Sequence, residues 1–254
     1  MRSSIDGLSR SNGNRMKVVI LAGGHGTRIS EETDNKPKPM VFIGDKPILW
    51  HLIQTYALQG FTEFIIACGY KKEVIQNWVL SEDFGNLSVE AVDTGLDTQT
   101  GGRIKRIFEY LGEKEILLSY GDGLANVDIN LTIEFFRKYK ALVLITAVRP
   151  PARFGLLETK GNLVTHFGEK NQVDSGWING GFFVISPEVM RYIESDDESF
   201  EFTTLPKLVK EKSLYTFFHE GFWKPMDTLR EKRELEVLVN SDYLPWLDVP
   251  FFKS

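Results

Sequence analysis

The 254-residue sequence predicts an α/β protein built on a mostly parallel mixed sheet with helices on both faces. Three observations carry that expectation. From Val18 to Val148, short apolar runs alternate with segments of helical period, the pattern of repeated strand–helix–strand units. The strand-like runs are continuously apolar rather than alternating, as in strands covered on both faces. The composition is 42% hydrophobic and 26% charged, enough to build a proper core.

Each element has its own signal. Val18–Ala22 reads as a buried strand. Asp45-Lys-Pro47 is expected to open a helix, with Asp45 as N-cap and Pro47 in its first turn. Ile48, Leu49, Leu52, Ile53, Tyr56 and Ala57 then recur at helical spacing, and Gly60 ends the run. Phe64–Cys68 is a strand, Lys71–Leu80 a helix and Leu87–Val92 a strand. Gly102–Leu111 reads as a helix with Ile104, Ile107, Phe108 and Leu111 on one face. Glu115–Tyr120 is a strand, Leu131–Tyr139 a helix and Ala141–Val148 a strand.

After Pro150-Pro151 the texture shifts to an α+β elaboration of the same sheet. Strand-like pieces fall at Leu156–Glu158, Leu163–Phe167, Gly181–Ser186 and Leu214–Phe218, and helical pieces at Pro187–Ile193, Thr203–Lys212 and Leu229–Val239. No Pro-, Gly- or Ser-rich linker divides the chain, so residues 16–254 are expected to form a single domain. Residues 1–15 are polar and read as an extension outside it.

Net charge is −5, which argues against nucleic acid or an anionic membrane surface as partner. No apolar stretch approaches a membrane span and no secretory leader is visible, so a cytoplasmic protein is expected. The lone Cys68 sits in an apolar run and reads as a reduced core residue; the four histidines lack metal-ligand spacing.

The chemistry concentrates in Lys17-Val-Val-Ile-Leu-Ala-Gly-Gly-His-Gly-Thr-Arg28 and Lys36-Pro-Lys-Pro39. A strand runs into three glycines, whose backbone N–H groups can approach an anion, followed by an arginine fork and two lysines. That combination suits a triphosphate. A dehydrogenase fingerprint would need glycine or alanine where Ile29 stands, and a P-loop would need Gly-Lys-Ser/Thr.

Five further stretches admit functional and ordinary readings. Asp122 in Tyr120-Gly-Asp-Gly123 sits at a strand's carboxyl end, where α/β sheets place ligands, or merely in an Asp-Gly turn. Asp227, before the last helix, is an N-cap or a second carboxylate for Mg²⁺. Val92–Arg103 is an ordinary loop or a wall that reads a base through hydroxyls and an arginine. Lys170 reads equally well as a solvated lysine, and Asn179-Gly180 as a simple bend.

Taken together, Leu21-Ala-Gly-Gly-His-Gly-Thr-Arg28, Lys36-Pro-Lys-Pro-Met40, Lys46-Pro-Ile-Leu-Trp-His51, Val92-Asp-Thr-Gly95, Thr100-Gly-Gly-Arg103, Tyr120-Gly-Asp-Gly123, Ile178-Asn-Gly-Gly-Phe-Phe183 and Gly221-Phe-Trp-Lys-Pro-Met-Asp-Thr-Leu-Arg230 resemble the sugar-phosphate nucleotidyltransferases. The resemblance runs from about Met16 to Trp246 and is strongest to the glucose-1-phosphate cytidylyltransferases. It implies a Rossmann-like nucleotide-diphospho-sugar transferase fold, CTP and a phosphorylated acceptor as substrates, Mg²⁺ as cofactor, and a homo-oligomer.

It also implies roles. Leu21, Ala22, Gly23, Gly24, His25, Gly26, Thr27 and Arg28 would hold the nucleotide with Lys38, Thr98, Arg103 and Gly121. Arg28, Lys38, Asp122 and Asp227 would be catalytic, the two aspartates as Mg²⁺ ligands. Glu169, Lys170, Asn179 and Gly180 would bind the acceptor. The sequence departs from the family pattern at His25, at Asn171, and in a short 79–91 stretch that lacks a basic and aromatic insert. The missing insert leaves open another phosphorylated acceptor and the assembly. A UTP or dTTP preference is the runner-up within the enzyme reading. A non-catalytic sensor is the reading from another class, against which the intact arginine, lysines and aspartates argue.

Overall fold

The computed structural model describes residues 16–24, 26, 29–112, 114–150, 155–169 and 176–250, the backbone alone at 155–159 and 166–169. In chain order the elements are β1 (Lys17–Ala22), α1 (Ser30–Thr33), β2 (Phe42–Ile43), β3 (Lys46–Pro47), α2 (Ile48–Ala57), β4 (Glu63–Cys68), α3 (Lys72–Ser81), β5 (Ser88–Asp93), α4 (Thr100–Leu111) and β6 (Ile116–Tyr120). They continue with β7 (Gly123–Ala125), α5 (Ile129–Tyr139), β8 (Val143–Val148), β9 (Gly155–Lys160), β10 (Leu163–Glu169), β11 (Ile178–Ile185), α6 (Leu205–Lys210), β12 (Leu214–His219), β13 (Trp223–Pro225) and α7 (Leu229–Asn240).

Seven strands form the central sheet in the order β12-β8-β11-β6-β1-β4-β5. All run in one direction except β11, which lies antiparallel between β6 and β8. The expected mostly parallel mixed sheet is therefore present. β1 shows why it has two covered faces. Val18, Ile20 and Ala22 pack into one core with Leu49, Leu52 and Ile53 of α2, whereas Val19 and Leu21 pack into a second core with Ile104, Ile107 and Phe108 of α4. Each fully buried Val, Leu or Ile among them contributes about 1.5–3 kcal/mol.

Strand and helix bounds differ from the periodicity by a residue or two, except at three places. Asp45 does not cap α2. It lies in the tight turn of a β2–β3 hairpin, and Pro47 takes the N-cap position with extended backbone. Local capping chemistry there gave way to the pairing of Phe42 with Pro47. β11 starts at Ile178 rather than Gly181, with its register shifting between Asn179 and Phe183. The second-half helices are irregular: a 3-10 segment at Pro187–Tyr192 and one π-turn at Phe200–Thr204 precede α6.

Outside the main sheet, β9 and β10 form an antiparallel ribbon, and β7 pairs antiparallel with β13. No helix among the described residues is long and apolar enough to cross a membrane.

The β2–β3 turn depends on Gly44, whose φ of 69° lies in the left-handed region. A Cβ there would stand 2.5 Å from Cγ1 of Val239 on α7. Gly44→Ala is expected to lower stability by about 1–3 kcal/mol. The urea unfolding midpoint of the variant against wild type measures this.

Candidate active site

A cavity of about 630 Å³ opens beyond the carboxyl ends of β1 and β6. The next strand of the sheet after β1 joins one of its sides and β6 the other, and that reversal of strand order is where α/β sheets leave a crevice for ligands. Leu21, Ala22, Gly23, Gly24, Gly26, Lys38, Thr98, Arg103, Gly121, Asp122 and Asp227 line it. The expected nucleotide residues that are described thus converge on one cavity. His25, Thr27 and Arg28 lie outside the described residues. Lys36, expected near phosphate as a charge, instead sets its ammonium 5.5 Å from the Phe42 ring centre.

Arg103 holds the cavity wall together. It lies in the first turn of α4 and is buried. Nη1 donates to Cys68 O, Thr94 Oγ1 and Gly95 O at 3.0, 2.7 and 2.7 Å, and Nη2 to Gly23 O and Leu96 O, both at 3.2 Å. One guanidinium therefore ties the β1 turn, the end of β4 and the 94–96 loop. Gly23 permits this approach, since a Cβ there would lie 2.2 Å from the guanidinium carbon. Burial pulls the Arg103 pKa down, but a guanidinium stays charged.

The second feature is a pair of carboxylates bridged by one ammonium. Lys38 sits on a short 3-10 turn between Pro37 and Pro39. Its Nζ donates to Asp122 Oδ2 and Asp227 Oδ1, each at 2.6 Å. Burial opposes the charge on Lys38, but the two carboxylates hold its pKa above the ordinary lysine value. Asp122 lies just beyond the end of β6. The β7–β13 ribbon and the Met226 N–H, which donates to Asp122 O at 2.8 Å, bring Asp227 beside it.

Asp227 is not the helix cap. Thr228 caps α7, and Glu231 completes the capping box by accepting from the Asp227 and Thr228 N–H groups at 2.8 and 3.0 Å. The Asp227 carboxylate is thereby directed at Lys38. No group of three or more His, Cys, Asp or Glu residues is placed to hold a metal among the described residues. Two hard carboxylates that already touch a common cation do fit Mg²⁺, which is bound by one or two carboxylates plus substrate phosphates.

A second cavity of about 520 Å³ shares Tyr120, Asp122 and Asp227 with the first. Asn179 and Gly180 line it, as do Trp223 and Pro150. Trp223 Nε1 donates to Gly180 O at 2.8 Å, which fixes the bend in β11. Glu169 contributes backbone to the end of β10, and Lys170 lies outside the described residues. Two concavities thus meet at one cluster of carboxylates and cation.

The nucleotidyl transferase family profile matches residues 17–250. The chain belongs to the nucleotidyl transferase family. It is 44% identical over 254 residues to the glucose-1-phosphate cytidylyltransferase of Salmonella typhimurium, covering 91% of this chain and 98% of the relative. Among solved structures, HddC from Yersinia pseudotuberculosis complexed with GMP-PN superposes with a TM-score of 0.72 at 26% identity, over 89% of this chain and all of HddC. A UDP-glucose pyrophosphorylase complexed with UDP-glucose shares the fold, with a TM-score of 0.70 at 15% identity, over 89% of this chain and 99% of that one.

In this nucleotidyltransferase, sequence reasoning did not single out Tyr120, Trp223 or Glu201. Tyr120 and Trp223 stand inside motifs whose aspartates drew attention first. Glu201 carries no sequence signal at all, because its neighbours Thr100 and Tyr120 are distant in the chain.

Two expectations follow. Arg103→Lys cannot reproduce this set of bonds and is expected to destabilise the fold by about 2–4 kcal/mol, read by thermal or urea unfolding. Burial pushes the Cys68 thiol up to about 12, whereas an unfolded thiol ionises near pH ~8.5. Between those values the unfolded chain releases a proton that the folded chain keeps, so stability falls as pH rises through that window. Urea midpoints followed from about pH 8 to about pH 10.5 are expected to fall less steeply in Cys68→Ala than in wild type.

Proposed function

We propose that this enzyme transfers the cytidylyl group of CTP to α-D-glucose 1-phosphate, giving CDP-glucose and diphosphate. The observation that carries the reading is the meeting of two cavities at Asp122 and Asp227, which Lys38 bridges. A group transfer between two phosphates needs such a junction. The choice of CTP and glucose 1-phosphate is supported by the 44% identity to the Salmonella typhimurium enzyme. Its setting is taken to be the cytoplasm, with the homo-oligomeric assembly that the resemblance implies.

An acceptor phosphate oxygen attacks the α-phosphorus in line, forming one P–O bond as the bond to diphosphate breaks. No protein nucleophile is required, because the acceptor is already an anion. The difficulty is to bring two anions together in the right orientation, and positioning and charge supply most of the rate. The glycine turn after β1 offers backbone N–H groups to the triphosphate, and Arg103 keeps that turn in place. Lys38 supplies positive charge where the phosphates meet, and the resemblance assigns Arg28 the same task. Asp122 and Asp227 would hold Mg²⁺, which neutralises phosphate oxygens when bound. Asn179 and Gly180 line the second cavity, and the resemblance assigns Glu169 and Lys170 to the acceptor with them.

A different phosphorylated acceptor is the second reading. It is favoured by the short passage from Ser81 at the end of α3 to Ser88 at the start of β5, which leaves no room for the basic and aromatic insert.

Diphosphate release with CTP, Mg²⁺ and glucose 1-phosphate tests the proposal. Asp122→Asn is expected to lose roughly 10²–10³-fold or more in turnover, the scale of removing one electrostatic contributor to a transition state. Full activity of that variant would remove the metal assignment. Release with UTP or dTTP at the rate of CTP would overturn the base, and a panel of other phosphates identifies the acceptor.

A further inference from the structure

Tyr120 belongs to both cavities, yet its hydroxyl is already engaged. It donates to Glu201 Oε1 and accepts from Asn179 Nδ2 at 3.1 Å. The ring is held as well, edge-on to Phe183 at 5.5 Å and against Gly181, where a Cβ would lie 2.7 Å from Cδ2.

Glu201 is the centre of this network. It sits on the π-turn Phe200–Thr204, before α6. Its Oε2 accepts from Thr100 Oγ1 at 2.6 Å and from Ser199 Oγ at 2.9 Å. Thr100 lines the nucleotide cavity at the first residue of α4. At the other end, Asn179 lines the acceptor cavity, and its Oδ1 accepts the Gly181 N–H at 2.8 Å. That bond fixes which way the carboxamide faces, so Nδ2 must point to Tyr120. A continuous chain Thr100–Glu201–Tyr120–Asn179 therefore runs from one cavity to the other.

We propose that Glu201 is a positioning residue for the acceptor: through the Tyr120 hydroxyl it orients the Asn179 carboxamide in the acceptor cavity. The inference rests on reading that second cavity as the acceptor site. Glu201 touches neither substrate; its carboxylate gives the Tyr120 proton a fixed acceptor, which leaves a Tyr120 lone pair aimed at Asn179. The two Glu201 oxygens separate its duties. Glu201→Gln keeps a carbonyl for Thr100 and Ser199 while presenting an amide to Tyr120. The phenol then faces N–H donors on two sides, the new amide and Asn179, and its own proton has no partner.

The test uses the full-length chain in the diphosphate-release assay, with CTP and acceptor varied in turn. Tyr120→Phe and Glu201→Gln are each expected to raise the acceptor KM about 5- to 20-fold, with the CTP KM changed less than about 2-fold. The double variant is expected to match the single variants, because both break the same link. A purely structural Glu201 would move the thermal midpoint or both KM values together. Unchanged acceptor KM in the single variants, or multiplicative effects in the double variant, would overturn the proposal while leaving the transferase reading intact. Tyr120→Phe keeps the ring packing and decides the matter by itself if Glu201→Gln does not fold. If wild type releases diphosphate only with another phosphate, glucose 1-phosphate is wrong and the same variants are read with that acceptor. A wild-type chain that releases no diphosphate with any acceptor overturns both.

Discussion

The Lys38 ammonium is the constraint on which the rest of the site depends. Its partners Asp122 and Asp227 lie 84 and 189 positions away in the chain, and each places an oxygen 2.6 Å from Nζ. Two carboxylates this close would repel one another without a cation between them. The ammonium makes their convergence possible before any substrate arrives. It also marks a point at which one positive charge reaches both, which is the geometric requirement for a shared cation. Three stretches of chain with little local relation to one another must therefore arrive together.

The fold achieves this with backbone devices rather than with further charges. The β1–β6 pairing sets the glycine turn beside Gly121, whose N–H donates to Leu21 O at 3.0 Å. The β7–β13 ribbon carries the chain from Asp122 across to Asp227. The Thr228–Glu231 capping box then supplies the helix cap that Asp227 would otherwise have provided. Arg103 performs the matching task at the wall of the first cavity by binding carbonyls from the β1 turn, the end of β4 and the 94–96 loop. The buried Arg103 guanidinium and the carbonyls around it thus satisfy one another.

How much of this was legible in the sequence follows from the range over which each signal acts. The buried strands were readable because continuous apolar runs describe them locally, and so were the helices with one apolar face. Lys38, Asp122, Asp227 and Arg103 were readable because each stands in a motif with turn formers around it. The exchange of helix-cap duty from Asp227 to Thr228 was not, since both residues suit a cap and only tertiary contact with Lys38 decides between them. Asp45 misled for the same reason: a sound local cap yielded to hairpin pairing. Glu201 was invisible, because its importance lies wholly in Thr100 and Tyr120, which stand 101 and 81 positions away on α4 and β6.

Charge closes the argument. One ammonium against two carboxylates leaves the Lys38, Asp122 and Asp227 trio with a net negative charge, which by itself repels phosphate. Adding a divalent cation would reverse the sign, and on the proposed reading substrate phosphates would extend the coordination that the two carboxylates begin. Cation and nucleotide should therefore favour each other's binding at this point, each cancelling what the other lacks. The second cavity adds another kind of group. Asn179 and Gly180 there offer a neutral amide and a backbone carbonyl, fixed by Tyr120 and Trp223. Such groups select by direction, while Asp122 and Asp227, which line the same cavity, respond to charge.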